Sequence, residues 1–113
     1  MSTDFQNPRA SARGAVKYRS PKLRDSFRDA PCCFGCGKHN DGTVVGAHAN
    51  GAHMGKGMGH KAPDYYLAGL CYDCHTRLDQ GKDMTRDERR QFWQDAYVKT
   101  MAWWFDAGIV KVA

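Results

Sequence analysis

The sequence predicts a small α+β domain: a β-hairpin and a short helix joined at two Cys-x-x-Cys turns, with a long carboxy-terminal helix packed beside them. Three observations predict it. Cys33-Phe-Gly-Cys36 and Cys71-Tyr-Asp-Cys74 are turns with the same cysteine spacing. Between them a β-branched run ends at His48 and passes into a glycine-rich stretch. Beyond the second pair, helical periodicity is sustained from Arg86 to about Ala107.

Residues 1–30 read as a basic arm. Its first 19 residues are polar and lack an apolar period, so partial disorder is expected. Ser20-Pro21 is a helix start, because serine can cap and proline suits the first helical position. Leu23 and Phe27 lie four apart, predicting a short helix within 21–30 that Pro31 ends. The arm holds seven cations and three anions, whereas residues 31–113 hold ten and nine, so most of the net +5 sits in the arm. That suits a segment resting on a polyanion, and equally a solvated leader.

Residues 31–113 read as the second unit. Cys33 to Gly37 is a knuckle turn whose glycines let backbone amides approach the sulfurs. Asn40-Asp41-Gly42 reads as a hairpin turn and Thr43–His48 as the strand after it. Residues 49–61, rich in glycine, histidine and methionine, read as a loop. The chain then turns apolar at Tyr65, Tyr66, Leu67 and Leu70. A short helix is expected over Cys74–Gln80, ended by Gly81. Thr85-x-x-Glu88 is a capping box opening the long helix over 86–107, with Gly108 closing it. Its stripe of Phe92, Trp93, Ala96, Tyr97, Met101, Trp104 and Phe105 reads as core packing.

The cysteines narrow the chemistry. No apolar signal stretch follows Met1, no run reaches membrane-spanning length, the cysteine count is odd, and four of the five are paired in spacing. These features favour zinc ligation in a reducing compartment over disulfides, and no membrane partner is expected. No βαβ pattern surrounds either pair, which disfavours a thioredoxin-like role. Four thiolates make a closed structural zinc site, so the adjoining His75 is left over for a second, catalytic ion. Cys32 abuts Cys33, and a ligand register shifted by one stays open. Across the crevice between hairpin and helix, His48 and His75 are expected to face each other.

Cys33-x2-Cys36, Val45-x-x-His48-Ala-Asn50, the loop Gly55-Lys56-Gly57-Met58-Gly59-His60-Lys61 and Leu70-Cys71-x2-Cys74-His75 together resemble the HNH endonucleases of the ββα-metal type. Within them the likeness is to short phage and prophage nucleases associated with recombination, over about residues 31–107. The resemblance implies a zinc-stapled ββα-metal core and hydrolysis of DNA to a 5′-phosphate and a 3′-hydroxyl. It implies His48 as the general base, His75 as ligand of a divalent catalytic ion (Mg²⁺, Mn²⁺ or similar), and Cys33, Cys36, Cys71 and Cys74 as ligands of a structural zinc. Asn50 would take the orienting role, Asp64 an orienting or ligating one. Lys56 and Lys61 would meet DNA phosphates, and His53 and His60 are further candidates for the metal shell. DNA is the implied partner, with a recombinase or other phage or host DNA-processing protein, in the cytoplasm of an infected or lysogenic bacterium.

Two positions depart from the family pattern. Ala47 stands where many members carry a ligand just before the base, and Tyr66 where an asparagine often sits. A histidine base must be neutral to accept a proton, so activity is expected to fall in acid. Two other readings fit the same residues: a non-catalytic zinc-knuckle protein that binds nucleic acid, and a structural zinc protein docking through Trp103 and Trp104.

Overall fold

The computed structural model describes residues 18–49 and 63–112; Asn50, His53, Lys56, His60, Lys61 and the arm up to residue 17 lie outside the described residues. Ser20 caps helix α1 (Pro21–Asp25), its Oγ accepting from the Leu23 amide at 3.1 Å, and Pro21 opens the helix where no donor is needed. A 3₁₀ turn, Ser26–Asp29, completes the segment, and Ala30 is extended, as the residue before a proline prefers. Leu23 and Phe27 are its buried residues and belong to one core with the hairpin and the long helix.

Strands β1 (Val45–His48) and β2 (Leu67–Leu70) pair antiparallel, Val45 opposite Leu70 and His48 opposite Leu67. The strand thus starts two residues later than expected. Asn40-Asp41-Gly42 does turn the chain, but it leads from the knuckle into β1 and joins no two strands of the ladder. The reason is local. The Asn40 and Asp41 side chains accept from the Gly42 and Thr43 amides at 2.8 and 3.0 Å, forming Asx turns that share the composition of a hairpin turn. The tight pairing near this turn is instead the Cys32–His39 bridge, which closes the knuckle.

A two-stranded sheet is marginal unless something covers it. On the outer edge of β2, Gly69 accepts from the Phe34 amide at 2.9 Å and donates to Thr100 Oγ1 at 3.0 Å. Phe27 lies directly on the Gly46–Gly69 pair. A Cβ added at Gly69 would meet Phe27 and Phe34 at 2.8 Å, so glycine is needed for space.

Helix α2 (Tyr72–Gln80) starts two residues earlier than expected, with Cys71 as its N-cap. Gly81 ends it in an ordinary extended conformation rather than a left-handed one. Its glycine is required because a Cβ would sit 2.5 Å from the Arg77 carbonyl oxygen. Helix α3 (Arg86–Asp106) opens on the anticipated capping box, with Thr85 Oγ1 accepting from the Glu88 amide at 3.1 Å and Glu88 Oε1 from the Thr85 amide at 2.7 Å. It buries Trp93, Ala96, Thr100 and Trp104, while Phe105 of the expected stripe is exposed. The docking reading of the tryptophan pair is corrected here. Trp104 is buried and donates to Ser26 Oγ at 3.0 Å, and Trp103 packs its ring, tilted, against Phe27 and Phe34. Among the described residues, no helix is long and apolar enough to cross a membrane.

Candidate functional site

The two knuckles converge. The sulfurs of Cys33, Cys36, Cys71 and Cys74 all lie within 4.8 Å of one another, and those of Cys36 and Cys71 are 3.9 Å apart. Four sulfurs around a tetrahedral zinc, each about 2.3 Å from it, stand about 3.8 Å from each other. Cys33 Sγ accepts from the amides of Gly35, Cys36 and Cys71 at 3.3, 3.5 and 3.2 Å. Burial alone would raise the Cys33 pKa, but these amides outweigh it and bring the thiol down to about 7. Burial, and then the neighbouring Cys33 sulfur, push Cys74 well up, and burial raises Cys71. Four such thiols cannot all ionise beside one another without a cation, and a dication supplies the missing charge. The donor set fits a structural zinc. Cys32 is no member of the cluster, which closes the shifted register.

The cluster fixes where the hairpin begins and ends. Cys33 and Cys36 precede β1, and Cys71 and Cys74 follow β2. The candidate base, His48, sits at the other end of the ladder, opposite Leu67. Trp93 of α3 donates its indole N–H to the Ala47 carbonyl at 2.9 Å, and the Ala49 amide bonds the Tyr66 carbonyl at 3.2 Å, so the strand end is held on both sides of His48.

His48 meets Asp64. Its Nε2 lies 2.9 Å from Asp64 Oδ1, and the carboxylate is fully buried. Asp64 Oδ2 accepts from the Ser20 amide at 2.6 Å and lies 3.0 Å from Arg24 Nε, with Arg19 at 3.6 Å from Oδ1. The Asp64 amide in turn donates to the Tyr18 carbonyl at 3.0 Å. Burial would raise the Asp64 pKa; the His48 hydrogen bond, the Ser20 amide and the Arg24 charge outweigh it and hold the carboxyl below its usual range. An ionised carboxylate only accepts, so Nε2 carries the hydrogen, and in the neutral ring Nδ1 holds the lone pair. Of the sequence-predicted site residues, the structure thus brings Asp64 and His48 into direct contact. Asp64 also engages two arm cations, Arg19 and Arg24, whose charge suits a polyanion and a solvated leader equally on sequence alone.

His75 lies one turn into α2, its Nε2 3.2 Å from Asp79 Oδ2. Asp79 received no role from the sequence, although His-x3-Asp on a helix places both side chains on one face. At 3.2 Å the two side chains are within hydrogen-bond distance of each other on a partly exposed helix face. The imidazoles of His48 and His75 thus have separate carboxylate partners. Among the described residues, the four cysteines are the only set of three or more such ligands that converges. No protein-family model, curated protein or solved structure matches the chain.

Proposed function

We propose that the chain is a metal-dependent DNA endonuclease of the HNH type, serving phage or prophage DNA processing in a bacterial cytoplasm. The observation that carries this reading is the His48–Asp64 hydrogen bond at the end of β1, which puts a buried carboxylate on one ring nitrogen and, in the neutral ring, leaves the lone pair on the other. That is the arrangement of an oriented general base. His48 Nδ1 takes a proton from water as the water oxygen bonds to phosphorus. The P–O3′ bond breaks, and the departing oxygen takes a proton from solvent, leaving a 5′-phosphate and a 3′-hydroxyl. Asp64 stabilises the imidazolium that forms. His75 and Asp79 would hold a divalent ion, which supplies positive charge to the phosphate when bound. The zinc at the cysteines has no open position and serves as scaffold.

Plasmid cleavage in Mg²⁺, Mn²⁺ or Ni²⁺ tests this. Wild type should nick or linearise the plasmid, and His48→Ala should lower the rate by about 10²–10⁴-fold with zinc content unchanged. Equal cleavage by the two proteins sinks the assignment. The second reading, a zinc-knuckle protein that binds nucleic acid and cuts nothing, draws support from Ala47. This residue is buried and offers no ligand where many HNH enzymes supply one. It predicts salt-sensitive DNA binding and no cleavage under any of the three ions.

A further inference from the structure

Beside the dyad lies a cavity of about 400 Å³, toward the lower end of the range for small-ligand sites. Tyr18 and Tyr65 form its walls, Leu23, Met101 and Trp104 its floor, and Lys22 stands at its margin. The floor is mostly buried, but Tyr18 and Tyr65 are 54% and 44% exposed, so aromatic surface is presented to whatever enters. Their rings lie 5.6 Å apart and tilted by 37°. Tyr65 is backed by Tyr66 at 4.7 Å, and its carbonyl accepts from the Tyr97 hydroxyl at 2.9 Å, so this wall is fixed before a ligand arrives.

The cavity and the dyad share Asp64. Ser20 lines the cavity and gives its amide to Asp64 Oδ2; Tyr18 accepts from the Asp64 amide, and Tyr65 is the next residue in the chain. A single carboxylate separates the Ser20 amide from His48, which places the cavity wall within about 8 Å of Nε2.

We infer that this cavity receives an unpaired nucleobase of the strand being cut. The inference rests on the nuclease reading of His48. Aromatic walls over an apolar floor suit the flat face of any base, and stacking of this kind is tolerant of sequence. The charge at the margin suits the backbone attached to that base, because Lys22 lines the cavity and is exposed. A free apolar ligand would use the floor and leave the lysine idle, whereas a nucleotide uses both. A base within an intact duplex is stacked and cannot enter. The favoured substrate is therefore DNA with unpaired nucleotides, such as single strands, flaps or junctions.

Binding by the whole chain carrying His48→Ala tests this without cleavage. The probes are a single-stranded oligonucleotide, its blunt duplex, and the single strand with 2-aminopurine at successive positions. The single strand should bind tighter than the duplex, with one position quenched. Adding Tyr65→Ala should weaken single-strand binding about 5- to 150-fold, leave duplex binding as it was, and remove the quench. Tyr65→Phe should retain all three properties, and Lys22→Gln should lower the salt slope by about one. Unchanged zinc content and circular dichroism certify that the variants fold. Equal effects of Tyr65→Ala on both probes, or none on either, overturn the inference, as does an apolar dye held in the cavity that the oligonucleotide fails to displace. The two readings fail separately. A Tyr65-dependent single-strand preference in a wild type that cuts nothing removes the nuclease alone. Cleavage of duplex and single strand at equal rates, undisturbed by Tyr65→Ala, removes the base cavity alone.

Discussion

The Ser20 amide donates to Asp64 Oδ2 at 2.6 Å, joining two residues 44 positions apart in the chain. The same carboxylate is hydrogen-bonded to His48, so the start of the arm's helix and the candidate base meet on one buried group. Arg24 balances its charge from the same helix. A segment whose composition suits either a polyanion-binding or a solvated leader is, from Tyr18 onward, packed against the candidate site.

Asp64→Asn should expose this dependence as a function of pH. The folded-state pKa of Asp64 is depressed, so its stabilisation is present above the unfolded carboxylate value of about 3.9 and is lost as pH falls through the lower folded value. Urea denaturation should show the variant about 2–4 kcal/mol less stable at pH 7, since Arg24 loses its charged partner and the buried oxygen sites are only partly matched. The gap between wild type and variant should hold to about pH 5 and close below pH 4. A gap that stays constant from pH 7 down to pH 2.5 would mean that the carboxyl has the same pKa in the folded and the unfolded chain.

Metal analysis separates the cysteines. Wild type and Cys32→Ser should each hold one zinc, whereas Cys33→Ser and Cys74→Ser should lose it. A structural zinc contributes on the order of 10 kcal/mol, comparable with the whole stability of a small domain. A strong chelator should therefore unfold the protein, visible as loss of helical circular dichroism. Retention of the fold after complete zinc removal would show that the apolar core suffices.

The features legible in the sequence are those carried by spacing within a few residues. The Cys-x-x-Cys pairs, the Thr85–Glu88 box, the Ser20-Pro21 start and the Leu23/Phe27 pair each state a local geometry, and each recurs in the fold. Strand β2 was harder to see because Leu67-Ala-Gly-Leu70 is buried at every position, so no alternation marks it. Asn40-Asp41-Gly42 misled because side-chain-bonded turns and hairpin turns draw on the same residues. The links from Asp64 to Ser20, Arg24 and His48 leave no periodic trace, since they form only when distant segments pack. Asp79 was visible at four residues from His75, but that spacing is also ordinary for a helix-surface pair.

Gly69→Ala should destabilise the domain by about 1–3 kcal/mol, the range for overpacking a filled core. Its new methyl would meet Phe27 and Phe34 at 2.8 Å, and neither ring is free to yield because both pack on Trp103. Gly37→Ala provides the contrast. Its Cβ meets nothing within 4 Å, so its cost would come from the positive φ of 79° alone, about 1–2 kcal/mol. Thermal melts of the two variants should separate crowding from backbone strain, and a Gly69→Ala chain as stable as wild type would mean the Phe27 ring shifts freely.

Trp93→Phe tests whether the strand end must be held still for catalysis. The indole N–H bonds the Ala47 carbonyl at 2.9 Å, one residue before His48, while the ring stacks on Tyr97 at 4.9 Å and 11°. Phenylalanine keeps most of the stacking surface and removes the donor. The loss of one buried hydrogen bond should cost about 1–2 kcal/mol in denaturation. If His48 is the base, a looser strand end should lower kcat several-fold and leave KM unchanged, because Trp93 holds the catalytic group and has no assigned contact with DNA. A rise in KM with kcat intact would place Trp93 in substrate binding instead.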